Sequence, residues 1–165
     1  MEDTNRMFGK FVAELEGLAS SKRFSPEELE AVYALAHGLF ASGKFDEALK
    51  YFGFLTLYRP TDPKYLLGLA ASQQMARQFE AAIQTYSFLT LLDPSDPGPT
   101  LRIGECLMML GQAGEARDSF TMVIAMANVS GGQHAALKAR AEGLLAALSQ
   151  SPAKPGVAAP ASARV

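Results

Sequence analysis

A 34-residue internal repeat constrains the fold of this chain more than any other feature of its sequence. FDEALKYFGFLTLYRPTDP begins at Phe45 and aligns with FEAAIQTYSFLTLLDPSDP, which begins at Phe79, with about half of the aligned positions identical. A more divergent third copy keeps the small, aromatic and branched positions of the first two, at Ala116, Phe120 and Val123. A fixed period of this length predicts stacked copies of one supersecondary unit.

Each copy carries the pattern of two helices joined by a turn. A Leu or Ile followed by a small residue marks the first helix, and an Ala followed four residues later by an aromatic residue marks the second. Pro60 and Pro94 end the second helix, while Asp62 and Asp96 stand where the next helix needs an N-cap. The spacing resembles the tetratricopeptide repeat. It predicts an all-α solenoid of three helix-turn-helix repeats with an N-terminal helix and a C-terminal capping helix.

The pattern divides the chain into four parts. An amphipathic N-terminal helix is predicted in residues 1–24, three repeats in 25–130, a capping helix in 131–149 and a disordered Pro/Ala-rich tail in 150–165. The repeat helices are expected near residues 26–42, 45–58, 63–76, 79–92, 97–110 and 113–127, and no strand is expected.

Large apolar residues recur at helical spacing in the N-terminal part, at Met7, Phe8, Phe11 and Leu15. So much apolar surface on a helix outside the repeats needs a partner. Packing on the first repeat and a homodimer contact both supply one, and the pattern alone does not choose between them.

The composition narrows the classes of function. The 165 residues suffice for one domain, and 15 Lys and Arg against 17 Asp and Glu leave no basic excess, so a nucleic-acid partner is not expected. One cysteine and two histidines supply neither an internal disulfide nor the four ligands of a structural zinc site, so no metal is expected. The sequence has no apolar signal run at its start and no stretch approaching 18 apolar residues, so neither export by an ordinary signal nor membrane insertion is expected.

The residues capable of catalysis are scattered. His37 and Cys106 fall about two repeats apart, too far for a nucleophile and its base, and Cys106 fits a buried helical position. The acidic pairs lie in first helical turns, where they favour the helix dipole, and no glycine-rich phosphate loop is present. The sequence therefore predicts no catalytic residues, no cofactor and no enzyme activity.

A concave binding surface remains, which repeats of this kind line mainly with the first helix of each unit. Leu35 and Leu39 are expected at the packing edge of that helix, and the positions pointing away from this edge define a candidate peptide groove. These positions are Tyr33, His37, Phe40, Lys64, Leu67, Ala71, Gln74, Leu101, Arg102, Glu105 and Met108. The alternative interpretation is that Tyr33 and Phe40 are ordinary core residues.

Four segments resemble a particular family, the class II chaperones of bacterial type III secretion systems, which serve hydrophobic translocator proteins. The segments are YALAHGLFASGKFDE at 33–47, LLGLA at 66–70, residues 78–86 and GECLMMLGQAGEA at 104–116. The resemblance implies a bacterial cytoplasmic protein without enzymatic activity that binds translocators before their secretion. It also implies an extended client segment, commonly Pro-x-Leu-x-x-Pro-like, in the concave groove.

The resemblance adds two assignments to the residue analysis. Aromatic groove residues of the family match Tyr33 and Phe40 and extend the groove to Phe45. Dimerisation through the N-terminal helix, which is common in the family, makes a homodimer the expected state, with Met7, Phe8, Phe11 and Leu15 as the contact. The alternative function is a general tetratricopeptide-repeat scaffold or regulatory adaptor, which would join folded proteins through the outer surfaces.

Overall fold

A computed structural model describes residues 24–150, which form seven α-helices. They are α1 (Pro26–Ala41), α2 (Phe45–Tyr58), α3 (Pro63–Met75), α4 (Phe79–Leu92), α5 (Pro97–Met109), α6 (Ala113–Val129) and α7 (Ala135–Gln150). Within this range there is no strand, and the all-α repeat fold is confirmed. The predicted N-terminal helix and most of the predicted tail lie outside the described residues, so the proposed division of the chain stays a prediction.

Side-chain caps fix the start of the first helix in each repeat. Ser25 forms a capping box with Glu28: the Glu28 amide donates to Ser25 Oγ at 3.2 Å, and the Ser25 amide donates to Glu28 Oε2 at 2.7 Å. Asp62 and Asp96 each accept a hydrogen bond from the amide two residues later, at 3.0 and 2.8 Å. All three caps precede a proline at the first helical position, as the sequence predicts.

One large aromatic residue per repeat anchors the core. Phe52, Tyr86 and Phe120 are spaced by the repeat period and are at most 2% exposed. Each lies in its own cluster of buried residues, so the core is a row of three clusters along the solenoid. Ala141 of α7 is fully buried in the third cluster, which places α7 as the cap of the array.

The turn inside each repeat uses one left-handed residue at a fixed position. Gly43, Arg77 and Gly111, spaced by the repeat period, have φ angles of 77°, 62° and 76°. Glycine adopts this conformation without penalty, whereas a residue with a β-carbon is strained in it. The second repeat therefore accepts backbone strain that its neighbours avoid.

The prediction that Leu35 packs at the helix edge is wrong for the described part of the chain. Leu35 is 49% exposed, although its equivalents Leu69 and Ile103 are half-buried. Leu69 and Ile103 lie on α3 and α5, and a complete helix pair comes before each of these helices in the chain. Between residues 24 and 150 no helix precedes α1, so nothing in that range covers Leu35.

Candidate peptide-binding face

Contacts between residues about one repeat apart show that α1, α3, α5 and α7 share one surface. Lys64 on α3 reaches Glu30 on α1, and Glu105 on α5 reaches Gln74 on α3 and Arg140 on α7. We call this surface the groove face. It is the surface that the sequence predicts as the lining of a peptide groove.

Aromatic rings converge at the α1 end of the groove face. The half-buried Tyr33 ring lies 5.9 Å from the Phe52 ring and 6.0 Å from the Tyr65 ring, measured between centroids. Lys64 Nζ stands 3.7 Å from the centroid of the Tyr33 ring, within cation–π distance. The same ammonium donates to Glu30 at 2.6 Å, and this hydrogen bond raises the pKa of Lys64. Tyr33 thus packs on the core while it lies half-buried on the groove face, and its part in peptide binding stays a prediction.

A second aromatic pair lies across the turn from α1 to α2. The rings of Phe40 and Phe45 are 5.3 Å apart and meet edge to face at 67°. Both side chains are half-buried, and Phe40 also packs against the first core cluster. Leu67, in the middle of α3, is the most open apolar residue of the predicted groove, at 51% exposure.

A carboxylate joins three helices at the other end of the groove face. Arg140 donates from Nε to Glu105 Oε1 at 2.7 Å, and its Nη2 lies 2.6 Å from the same oxygen in an ion pair. Arg102 donates to Glu105 Oε2 at 3.0 Å, and Gln74 donates to the same oxygen at 3.3 Å. The Glu105 side chain is only 11% exposed, whereas the two guanidinium-bearing side chains are about half exposed. Glu105 therefore holds α3, α5 and α7 together from beneath two accessible arginines.

The network continues into the second repeat. Tyr86 donates from its hydroxyl to Gln74 Oε1 at 3.0 Å, and burial raises the pKa of this phenol well above its ordinary value. Gln74 is thus fixed at both ends of its amide, between a core tyrosine and Glu105. In this part of the groove face, the side chains of Gln74, Tyr86 and Glu105 form one connected hydrogen-bond network.

The prediction that Leu101 lines the groove is wrong. It is 2% exposed and belongs to the third core cluster, together with Ala141 of α7. Its equivalent in the second repeat, Leu67, is 51% exposed. The capping helix takes the place of a fourth repeat beside α5 and buries Leu101.

The remaining predicted positions vary in exposure. His37 is exposed, with its ring 6.1 Å from Tyr33, whereas Ala71 and Met108 are half-buried. Sequence reasoning missed Glu30, which pairs with Lys64, and Arg140, which pairs with Glu105. Opposite charges about one repeat apart, 34 residues for Glu30 and Lys64 and 35 residues for Glu105 and Arg140, are the signal for both.

Cys106 is fully buried, and burial raises the pKa of its thiol to about 11. Nowhere between residues 24 and 150 do three His, Cys, Asp or Glu side chains come together as a metal site would require. The helices of this range are also too short or too polar to cross a membrane.

These features define a tetratricopeptide-repeat module with an apolar and aromatic groove face. The family model described as tetratricopeptide repeat matches residues 29–62 and 63–96. PcrH solved in complex with the chaperone-binding region of PopD is 35% identical, with a TM-score of 0.70 over 77% of this chain and 95% of PcrH. A further structure, of PcrH from Pseudomonas aeruginosa, is 34% identical, with a TM-score of 0.69 over 80% of this chain and 99% of PcrH.

Two further chaperones are similar. SycD of Yersinia enterocolitica, solved with a peptide of the translocator YopD, is 28% identical, with a TM-score of 0.69 over 78% of this chain and 97% of SycD. Chaperone protein SicA of Salmonella typhimurium is 34% identical over 95 residues, and this match spans 58% of each chain. The chain belongs to the family of tetratricopeptide-repeat chaperones of type III secretion systems.

Proposed function

We propose that this protein is a cytoplasmic chaperone of a bacterial type III secretion system. It binds an extended, Pro-x-Leu-x-x-Pro-like segment of hydrophobic translocator proteins on the groove face and keeps them soluble before secretion. It does so without catalysis, because capture of an aggregation-prone segment needs only a complementary surface.

The observation that carries this proposal is that the chain has an apolar groove face and belongs to a family whose members have been solved with translocator segments. PcrH and SycD, which share this fold, have been solved with translocator segments bound. In this chain the groove face presents an open Leu67 on α3 together with two groups of aromatic rings on α1 and its neighbours. An extended peptide with spaced apolar side chains suits such a surface. We assign to the groove Tyr33, His37, Phe40, Phe45, Lys64, Leu67, Ala71, Gln74, Arg102, Glu105 and Met108.

A matched pair of leucine substitutions tests the groove. Leu67→Glu changes the groove face, and Leu57→Glu makes the same change on α2, where Leu57 is 69% exposed. Both positions are open, so neither change disturbs the core. We expect Leu67→Glu to weaken binding of a translocator segment at least tenfold and Leu57→Glu to leave it unchanged, measured by calorimetry. Equal affinities for both variants and the unchanged chain would contradict the proposal.

Aromatic variants extend the test to the α1 end. Tyr33→Ala combined with Phe40→Ala is expected to weaken client binding further. Because both rings also pack on the first core cluster, the helical signal and unfolding midpoint are measured beside affinity. Parallel loss of fold and binding would contradict a direct role for these two rings.

The alternative function is a scaffold that joins folded proteins. Leu57 and Leu91, one repeat apart on α2 and α4, are 69% and 60% exposed, and Met122 on α6 is 57% exposed. Exposed apolar residues on successive second helices favour docking on this side of the solenoid. Under this alternative, Leu57→Glu would lose its partners and Leu67→Glu would keep them. The same pair of variants therefore distinguishes a scaffold from a translocator chaperone.

We also propose that the chain forms a homodimer in which Met7, Phe8, Phe11 and Leu15 supply the contact. These residues lie outside the described range, and the support comes from their apolar spacing and from SycD of Yersinia enterocolitica, which has been solved as an alternative dimer. Phe8→Asp with Phe11→Asp is expected to shift the chain to a monomer in sedimentation equilibrium. An unchanged mass would contradict this assignment.

A further inference from the structure

The two ends of the groove face differ in their balance of charge. At the α1 end, Lys64 Nζ lies 2.6 Å from Glu30 Oε2, so one positive charge meets one negative charge. At the other end, Arg102 and Arg140 share the single carboxylate of Glu105. These three side chains carry two positive charges and one negative charge, which leaves one net positive charge between α5 and α7.

The remaining acids of the described helices α3, α5 and α7 do not offset this charge. Helix α3 contains no Asp or Glu, and α5 contains Glu105 alone. The one acid of α7, Glu142, lies 3.9 Å from Lys138, which also donates to Asn128 of α6. This pair therefore lies on the α6 side of α7, and Arg140, two residues from each partner, points to a different side of the helix.

The arrangement leaves hydrogen-bond donors open to a ligand. Both oxygens of Glu105 are already engaged, one by Arg140 and the other by Arg102 and Gln74. A guanidinium group carries five N–H donors, and within residues 24–150 Arg102 donates one of them to Glu105. The side chains of Arg102 and Arg140 are 47% and 56% exposed, so their other donors are accessible.

The packing of the array does not depend on Arg102. Arg140 connects α7 to α5 through Glu105, whereas Arg102 lies three residues from Glu105 on the same helix, so its ion pair joins no two helices. An exposed pair of this kind contributes little to stability. The equivalents of Arg102 in the first two repeats are Ala34 and Gly68, so the repeat fold does not require a charge at this position.

We propose that Arg102 and Arg140 bind an acidic side chain of the client segment that lies on the groove face. We call this pair the carboxylate subsite. The inference rests on the proposed function and adds a charged position to a recognition surface that is otherwise apolar. Guanidinium groups match a carboxylate in both charge and hydrogen-bond geometry, and Glu105 holds the two groups in place before the client arrives.

The spacing of the helices sets where the acid falls in the client. Leu67 is the open apolar position of α3, and its equivalent on α5 is Leu101, the residue before Arg102. Packed helices lie about 8–10 Å apart, and an extended chain advances about 3.3 Å per residue. The acidic residue is therefore expected about three residues from the client side chain that contacts Leu67.

Two capped peptides test the carboxylate subsite. Both contain Pro-Ala-Leu-Ala-Ala-Pro with one residue added at each end, Glu in the first peptide and Gln in the second. The added residues flank the Leu on both sides, so one of them reaches the subsite in either direction of binding. Acetylated and amidated ends exclude terminal charges. We expect the Glu peptide to bind the unchanged chain about fivefold more tightly in calorimetry at low salt, and this ratio to fall towards one in Arg102→Gln.

Arg117→Gln is the matched control. It removes the same charge from an exposed position on α6, outside the groove face, so the ratio of the two affinities should stay at about fivefold. Equal affinities of the two peptides for the unchanged chain would overturn the subsite, and so would a ratio that Arg102→Gln leaves undiminished. A Gln peptide with a free C-terminus tests a terminal carboxylate as the ligand. If this peptide alone gains affinity, the proposal of an acidic side chain is wrong.

The outcomes separate the subsite from the proposed function. Equal binding of the Glu and Gln peptides would overturn the subsite and leave the chaperone function standing, because the groove would still take the apolar segment. Failure of both peptides and of a translocator segment to bind would overturn the proposed function and the subsite with it. The unfolding midpoint of Arg102→Gln in urea is measured beside the affinities, and a folded variant that has lost the preference for Glu supports the subsite.

Discussion

Phe120 packs its ring directly on Gly104. A β-carbon at Gly104 would lie 2.5 Å from Phe120 Cε1, closer than two carbon atoms approach without bonding. Gly104 holds the small position of the third repeat, where the first two repeats have the fully buried Ala36 and Ala70. The contact brings α5 and α6 together at the point where the third core cluster forms.

Gly104→Ala is therefore expected to destabilise the protein by roughly 1–3 kcal/mol, because overpacking outweighs the better helix propensity of alanine. Urea unfolding followed by circular dichroism measures the change. Gly143→Ala on α7 is the control: nothing lies within 4 Å of its added β-carbon, so it should stabilise by up to about 1 kcal/mol. A shift of the same sign in both variants would refute the close contact.

Glu105→Gln is expected to cost about 1–3 kcal/mol, because it leaves two guanidinium groups side by side without their shared carboxylate. Adding Arg140→Gln should recover part of this loss by removing one of the like charges. A double-mutant cycle in denaturant measures the coupling. Additive effects would show that the two side chains do not interact in solution.

Arg77→Gly is expected to stabilise the protein by up to about 1 kcal/mol, because glycine removes the strain of a left-handed residue at φ 62°. The reciprocal change Gly111→Arg, at the equivalent turn with φ 76°, should destabilise. Thermal unfolding of the two variants gives the comparison. Equal shifts in both would mean that strain does not distinguish these turns.

Cys106 gives a pH-dependent prediction. Burial raises the pKa of its thiol from the ordinary value of 9.0 to about 11, so the unfolded chain releases this proton at lower pH than the folded one. The stabilising contribution is complete below pH 9.0 and is lost as the pH rises towards about 11. Compared with Cys106→Ala, the unchanged chain should lose more stability across this window in urea titrations. Identical pH profiles would contradict the burial of the thiol.

Much of the fold could be predicted because the signals that set a repeat, its helix caps and its apolar spacing, act within one helix or between neighbouring helices. The caps at Ser25, Asp62 and Asp96 lie where the sequence places them, and each depends only on residues within one helical turn. The burial of Ala48 and Phe52 also follows from spacing alone, since both lie on one face of a helix that pairs with its immediate neighbour.

The candidate groove was predicted less completely, because its residues depend on which helix lies beside them. The sequence leaves open whether Tyr33 is a core or a groove residue, and only the packed rings show that it contacts the core from the groove face. Glu30 and Arg140 are not found from helical periodicity, because their partners lie about one repeat away, and only a comparison of charges across the repeat period points to them.

The sequence by itself determined the repeat, the helices, the caps and the resemblance to translocator chaperones, since these depend on short-range order and on a fixed period. Only the tertiary structure decided the outcome at the two ends of the array. Leu101 is buried in a cluster that includes Ala141 of the capping helix α7, and Leu35 is exposed because no described helix precedes α1. Equivalent positions in a repeat have equal propensities, but their burial depends on neighbours that the terminal repeats do not share.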